Sequence, residues 1–266
     1  MLTTTSNVHR ALNAIFLKLS ISFFFLFMFG MLQGQTTFLN RPSKTESATV
    51  LDKGVFQFES AYEIELTGES DEREKEILFP GISLKYGLGW GIELRVANHF
   101  ETYKDKLVSV NGFTDIDIGA KIKLLKGNDK KTEVALISHL FLPTGSNGIS
   151  NERVGNATSM LVWHELTERM GIEYSIGYSN FEIDSEKGDF VYSFVTDFEI
   201  NDKSGVFIET YGEFIEFKEL ETSVDFGLAF QFTDNLELEL AAGTGINHEM
   251  FFALIGLGWR IGEQEN

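Results

Sequence analysis

The sequence contains no cysteine. That excludes disulfides, thiolate metal ligands, a cysteine nucleophile and a lipid-modified cysteine at a processed N-terminus. Proline is nearly as scarce, with 3 residues against 25 glycines and 25 phenylalanines. Chains rich in aromatics and glycine, with short apolar runs, favour β structure, because rings cover a pleated surface and glycine serves turns. Basic residues are also few: 22 Lys and Arg stand against 40 Asp and Glu, a net charge of −18. Binding a phosphate backbone needs a cationic face that displaces counterions, so nucleic acid is not an expected partner. The acidic balance by itself names no other partner, since a solvated surface also produces it.

Unbroken apolar runs long enough for a transmembrane helix are missing after residue 34. Before it, His9, Arg10 and Lys18 precede an apolar run at 19–32, and Gly34-Gln35 follows. A cationic start, an apolar stretch of about 14 residues and a small residue predict a secretory signal peptide over residues 1–34. The alternative, a membrane anchor, needs a run of roughly 20 residues. Cleavage after Gly34 removes Arg10 and Lys18 and no acid, taking the net charge from −18 to −20. Residues 35–53 are polar and aperiodic and read as an N-terminal periplasmic tail. A second placement folds them into the lumen as a short plug, where Arg41 and Lys44 would meet carboxylates.

From residue 54 to 261 the pattern has period two. At 55–66 one face carries Phe56, Phe58, Ser60, Tyr62, Ile64 and Leu66, and the other Val55, Gln57, Glu59, Ala61, Glu63 and Glu65. Successive strand side chains point to opposite faces, so this segment has one apolar and one acidic side. Ile92, Leu94 and Val96 alternate with Glu93, Arg95 and Ala97 in the same way, and Leu236, Leu238 and Leu240 with Glu237, Glu239 and Ala241. Similar runs predict about twelve strands, at 54–66, 76–86, 91–98, 114–125, 132–142, 156–166, 171–179, 189–200, 205–214, 222–232, 236–243 and 251–261. Short connections alternate with longer ones at 67–75, 99–113, 143–155, 180–188, 215–221 and 244–250. Strict alternation puts all tight turns at one end of an up-and-down meander, the layout of an outer-membrane β-barrel. The predicted fold is therefore all-β: an antiparallel transmembrane barrel of about 12 strands, followed by a short C-terminal tail at 262–266.

A barrel of that size is too wide for apolar side chains to fill, so a polar lumen and a lipid-facing apolar wall are expected. Assigning apolar positions to lipid leaves Glu59, Glu63, Lys85, Glu93, Arg95, Asp117, Lys121 and Lys123 inside. Glu133, His139, Glu173, Asp197, Glu209, Asp225, Glu237 and Glu239 join them. An excess of carboxylates favours cations or neutral polar solutes over anions; a closed ion-pair network that conducts nothing is the alternative. Tyr86, Phe198, Phe230, Phe232 and Trp259 fall near the short-turn rim on the apolar face, where an aromatic girdle is expected. Two segments fit the pattern less well. Pro80 interrupts the second strand, which a bulge or rim position would accommodate, and 156–166 has no clean polar side.

Several motifs occur in order along the chain. They are Arg41-Pro42-Ser43-Lys44-Thr45-Glu46-Ser47, Lys53-Gly54-Val55-Phe56-Gln57-Phe58-Glu59, Leu84-Lys85-Tyr86-Gly87, Glu93-Leu94-Arg95, Asp115-Ile116-Asp117-Ile118-Gly119-Ala120-Lys121, Leu142-Pro143-Thr144-Gly145 and Gly243-Thr244-Gly245-Ile246-Asn247. In this the chain resembles the transporter-like outer-membrane family described under the MetA pathway of phenol degradation. The resemblance implies a Gram-negative outer-membrane barrel with a role in moving small solutes, aromatic compounds among them. Such barrels often end on an aromatic residue read by the barrel-assembly machinery, and here Trp259 would serve from an internal position.

Nothing in the sequence predicts catalysis, a cofactor or a metal site. His99, His139, His164 and His248 are scattered, and Ser138 and His139 are strand neighbours that face opposite sides, so they cannot act as nucleophile and base. The Gly-x-Gly pieces at Gly87, Gly243 and Gly256 open no helix, which a phosphate loop requires. Glu237 and Glu239 form the kind of same-face pair that regular alternation produces throughout. The expected partners are outer-membrane lipid and lipopolysaccharide, the assembly machinery and a small-molecule solute. A second class of function is a structural barrel whose acidic loop at 67–75 binds something outside the cell.

Overall fold

The structure is a computed structural model, and it describes residues 44–69, 73–126, 131–180 and 187–262. The predicted signal peptide at 1–34, Arg41 and most of the predicted C-terminal tail lie outside the described residues. Within them the chain forms thirteen antiparallel strands and no helix. In order these are β1 (Phe56–Thr67), β2 (Glu74–Gly89), β3 (Ile92–Lys104), β4 (Ser109–Phe113) and β5 (Ile116–Lys126). Then follow β6 (Thr132–Leu142), β7 (Gly155–Thr167), β8 (Met170–Asn180) and β9 (Asp189–Asn201). The last four are β10 (Ser204–Ile215), β11 (Glu219–Thr233), β12 (Leu236–Gly245) and β13 (Met250–Ile261).

Apart from β4 and β5, each strand pairs with its sequence neighbours, and β1 pairs with β13, so the sheet closes on itself. The short β4 and the full-length β5 share β3 as partner, β4 along residues 100–104 and β5 along residues 92–97. The ring thus has 12 positions, as the alternation predicts. Closure pairs both edges of every strand but β4, whose second edge meets the connection at 143–154, and so satisfies backbone donors and acceptors that an apolar surrounding cannot.

At one end the turns are tight. Trp90 and Gly91 close β2–β3 with φ of 56° and 73°, while 168–169, 202–203 and 234–235 close three others. The opposite end departs from expectation in two places. The predicted long loop at 99–113 is mostly strand: β3 runs on to Lys104 and returns as β4 after a turn at 105–108. The Asp105 carboxylate caps that turn, accepting from the N–H of Leu107 and of Val108 at 2.6 Å each, and Phe100 packs edge-on against Phe113 at 5.3 Å. The predicted loop at 215–221 shrinks to 216–218, with Glu216 and Phe217 in the left-handed region. In both places cross-strand pairing continues beyond the point where clean apolar/polar alternation stops. At Pro80 the register slips against both neighbours, so Phe79-Pro80 stands opposite one residue on each side. This is a bulge, which leaves the missing proline N–H outside the ladder.

The long connection at 143–154 is tied down at the break between β4 and β5. Asp115 Oδ1 accepts from Gly145 N at 2.9 Å and Ser150 Oγ at 2.6 Å, and Oδ2 accepts from Asn151 N at 3.0 Å. Ser146 Oγ accepts from Phe113 N at 2.9 Å, and Thr144 Oγ1 from Ile116 N at 3.0 Å. Hydrogen bonds to a charged acceptor contribute about 1.5–3 kcal/mol each. Asp115→Ala should therefore free the loop, and limited proteolysis within 143–154 should speed up while denaturant unfolding of the barrel stays unchanged.

The outer surface is apolar. Large side chains stand exposed along the middle of the strands, among them Ile208 at 57%, Phe226 at 52%, Leu240 at 41% and Ile255 at 45%. A soluble protein rarely exposes a contiguous apolar band of this kind. Tyr86, Phe230, Phe232 and Trp259 are exposed on the same face and Phe198 is half-buried there, all toward the tight-turn end. Trp90, at the tip of its turn, joins them and was not on the predicted girdle.

Candidate functional site

The inner face inverts the outer one. Lys85, Glu93, Arg95, Lys121, Glu133, Glu173, Asp197, Glu209, Asp225, Glu237 and Glu239 are all buried, and Glu59, Glu63, Asp117, Lys123 and His139 are half-buried. Alternation aims them inward because their odd-numbered positions share one face of each strand. Ser138 and His139 do face opposite sides: Ser138 bonds Thr158 at 2.8 Å, and His139 Nδ1 lies 2.8 Å from Asp117.

The charges are segregated. Lys85, Arg95 and Lys121 come from the neighbouring strands β2, β3 and β5, where register sets Lys85 beside Arg95 and Glu93 beside Lys121. Lys85 Nζ meets Glu59 at 2.7 Å, and Arg95 Nε donates to Glu93 at 2.6 Å. Carboxylates prevail on the wall opposite β3, where Glu209 of β10 pairs in register with Asp225 of β11, while Glu237 and Glu239 of β12 lie two strands from β1.

Residues 44–53 run through this interior. They enter beside Gly87, where a Cβ would stand 1.9 Å from the Asp52 carbonyl oxygen, so only glycine lets the backbones approach. Leu51 N donates to Glu93 at 2.9 Å, and the Lys121 ammonium donates to the carbonyls of Ser47 at 2.8 Å and Thr49 at 2.9 Å. Arg95 Nη1 holds the Glu46 carboxylate at 2.7 Å. Higher up, Lys44 N donates to Glu209 at 2.9 Å, Thr45 Oγ1 donates to the same carboxylate, and Lys44 Nζ reaches Glu63 at 2.7 Å. Burial opposes the charge on Glu46, but Arg95, Lys85 and Lys121 outweigh it and hold its carboxyl well below the usual range. The described part of this segment, 44–53, is thus bonded to inward side chains of β3, β5 and β10. Lys44 meets a carboxylate as expected.

The interior is also less polar than alternation suggested. Ala48 and Val50 pack with Ala135 and Ile137 of β6 and Leu161 of β7, with Trp163 against them. A second cluster joins Val195, Phe207, Ala241 and Phe252, with Tyr211, Met250 and Leu254 around it. Strand 156–166, which shows no clean polar side, accordingly turns Leu161 and Trp163 inward. Periodicity could not reveal the plug, since it is a property of regular strands. The hint in the sequence was the pair Arg41 and Lys44, cations placed ahead of a barrel predicted to carry inward acids.

A family model described as "Putative MetA-pathway of phenol degradation" matches residues 39–261. Among solved structures, an outer membrane channel from Pseudomonas putida F1 superposes with a TM-score of 0.68, covering 80% of this chain and 97% of that one at 13% identity. The KdgM porin in complex with disordered oligogalacturonate gives a TM-score of 0.53, covering 77% of this chain and 99% of that one at 11% identity. No curated protein matches the sequence. What the two structures share with this chain is the closed barrel.

Proposed function

This chain belongs to the MetA-pathway family of phenol degradation, and we propose that it is an outer-membrane channel for small solutes, held shut at rest by its own residues 44–53. The observation that carries the reading is a closed ring of strands, apolar outside and charged inside, with a peptide segment bonded along its inner wall. The predicted signal peptide and the fold shared with an outer membrane channel support placement in that membrane. Lipid and lipopolysaccharide then surround the apolar band, and Tyr86, Phe198, Phe230, Phe232 and Trp259 line its tight-turn edge. Family and fold argue for passage rather than catalysis. The excess of inward carboxylates favours small cations over small inorganic anions.

Planar-bilayer recording tests this. Protein lacking residues 35–51 should show discrete steps several-fold more often than the intact chain, with a reversal potential in a KCl gradient shifted toward potassium. Silence from both proteins sinks the channel. A second reading, a barrel that never conducts and acts only through its surface, is favoured by the density of bonds between segment and wall; it predicts that silence.

A further inference from the structure

We propose that the wall beneath residues 46–50 is a binding subsite for an amphipathic organic carboxylate, and that Glu46, Ala48 and Val50 occupy it as an internal surrogate. The inference rests on the channel reading and names the class of solute for it. Two halves of a recognition site lie side by side. Arg95 and Lys121 supply the cationic half on β3 and β5. Ile137 stands cross-strand from Lys121, Ala135 pairs with Leu161, and with Trp163 these supply the apolar half. The surrogate matches both, placing its carboxylate on Arg95 and its aliphatic side chains on the β6–β7 wall.

Two observations show that this occupancy can be contested. Arg95 is 95% buried, yet its Nη2 has no hydrogen-bond partner among the described residues, since Nε goes to Glu93 and Nη1 to Glu46. A free carboxylate in place of Glu46 could take Nη1 and Nη2 together in the bidentate fork that guanidinium favours. The Glu46 side chain is also 38% exposed, so a competitor can approach from the open side of the lumen. Inorganic anions gain nothing from the apolar half and meet the acidic far wall. An anion with a hydrophobic body gains from both.

Sodium benzoate is the probe, with acetate lacking the apolar body and phenol lacking the charge at neutral pH. Calorimetry on the full-length, detergent-solubilised protein should show benzoate binding at least about tenfold tighter than either control, the loss expected when one charged or one apolar half is removed. Glu46→Gln, which removes the competing charge, should tighten benzoate by about tenfold. Because the chain has no cysteine, Ser47→Cys gives a single thiol, and benzoate should accelerate its labelling by maleimide as the segment lifts. Equal binding of benzoate and acetate, or labelling unmoved by benzoate, overturns the inference. A protein that conducts without preferring benzoate keeps the channel and loses the subsite; one that binds benzoate but never conducts keeps the subsite and loses the channel.

Discussion

Lys121→Met is expected to release residues 44–53 from the barrel interior while leaving the barrel folded. Lys121 is fully buried, and its ammonium donates to the backbone carbonyls of Ser47 and Thr49 at 2.8 and 2.9 Å. Each bond from a charged donor contributes about 1.5–3 kcal/mol. Methionine fills a similar volume but donates nothing, so both carbonyls are left unpaired when the segment is docked. Undocked, they reach water. Since about 1.4 kcal/mol is a factor of ten, the undocked population should rise at least about tenfold if one bond counts, and about a hundredfold or more if both do. Glu93 keeps the Arg95 guanidinium at 2.6 Å, so the substitution strands no buried carboxylate in the wall. Protease trimming ahead of Gly54 should accelerate by that factor, and single-channel open time should lengthen. Unchanged trimming would mean that Glu46 and Lys44 hold the segment without help from Lys121.

The second large effect concerns the outer wall. Leu240→Arg should lower stability in phospholipid vesicles by about 2–4 kcal/mol, the cost of a cation near the bilayer midplane on a barrel's lipid face. Leu240 lies mid-strand on β12, flanked in register by Leu228 on β11 and Ile255 on β13, and all three side chains are exposed. A guanidinium there has no carboxylate to meet, because the inward acids of β12 point the other way. Urea titration of the vesicle-folded protein measures the loss, with Glu249→Arg in the loop before β13 as the control that should cost nothing. If Leu240→Arg behaves like that control, the exposed apolar band does not sit in hydrocarbon.

The two variants probe parts of the molecule that differ in how far sequence revealed them. The outer band and the inward charges follow from period-two alternation. It assigns Leu240 and Glu239 to opposite faces whatever the rest of the chain does, and the ring of 12 positions follows from counting such runs. Alternation was a poorer guide where strands outlast it. At 99–113 the hairpin is held by backbone pairing, the Phe100–Phe113 contact and the Asp105 cap, none of which imposes a simple pattern of side chains. At 215–221 the tight turn relies on two left-handed residues, Glu216 and Phe217, that no turn signature announces. The Leu142-Pro143-Thr144-Gly145 motif was visible as a string of residues. Its part in anchoring the 143–154 connection to Asp115 depends on a contact across some thirty residues.

What the sequence by itself determined is the barrel: its strand number to within the split fourth position, its antiparallel order and which face of each strand is apolar. These are local properties, set by residues one and two apart, and they survive without knowledge of any distant contact. Tertiary structure alone decided what the interior holds. Residues 44–53 have no periodicity, and their place is set by bonds to groups 19 to 165 residues away. It also decided that Lys85, Arg95 and Lys121 gather beside the apolar Ile137 and Leu161 instead of dispersing among the acids. That juxtaposition comes from the stagger of the strands around the ring, which fixes which inward residues meet, and a strand read singly carries no record of it.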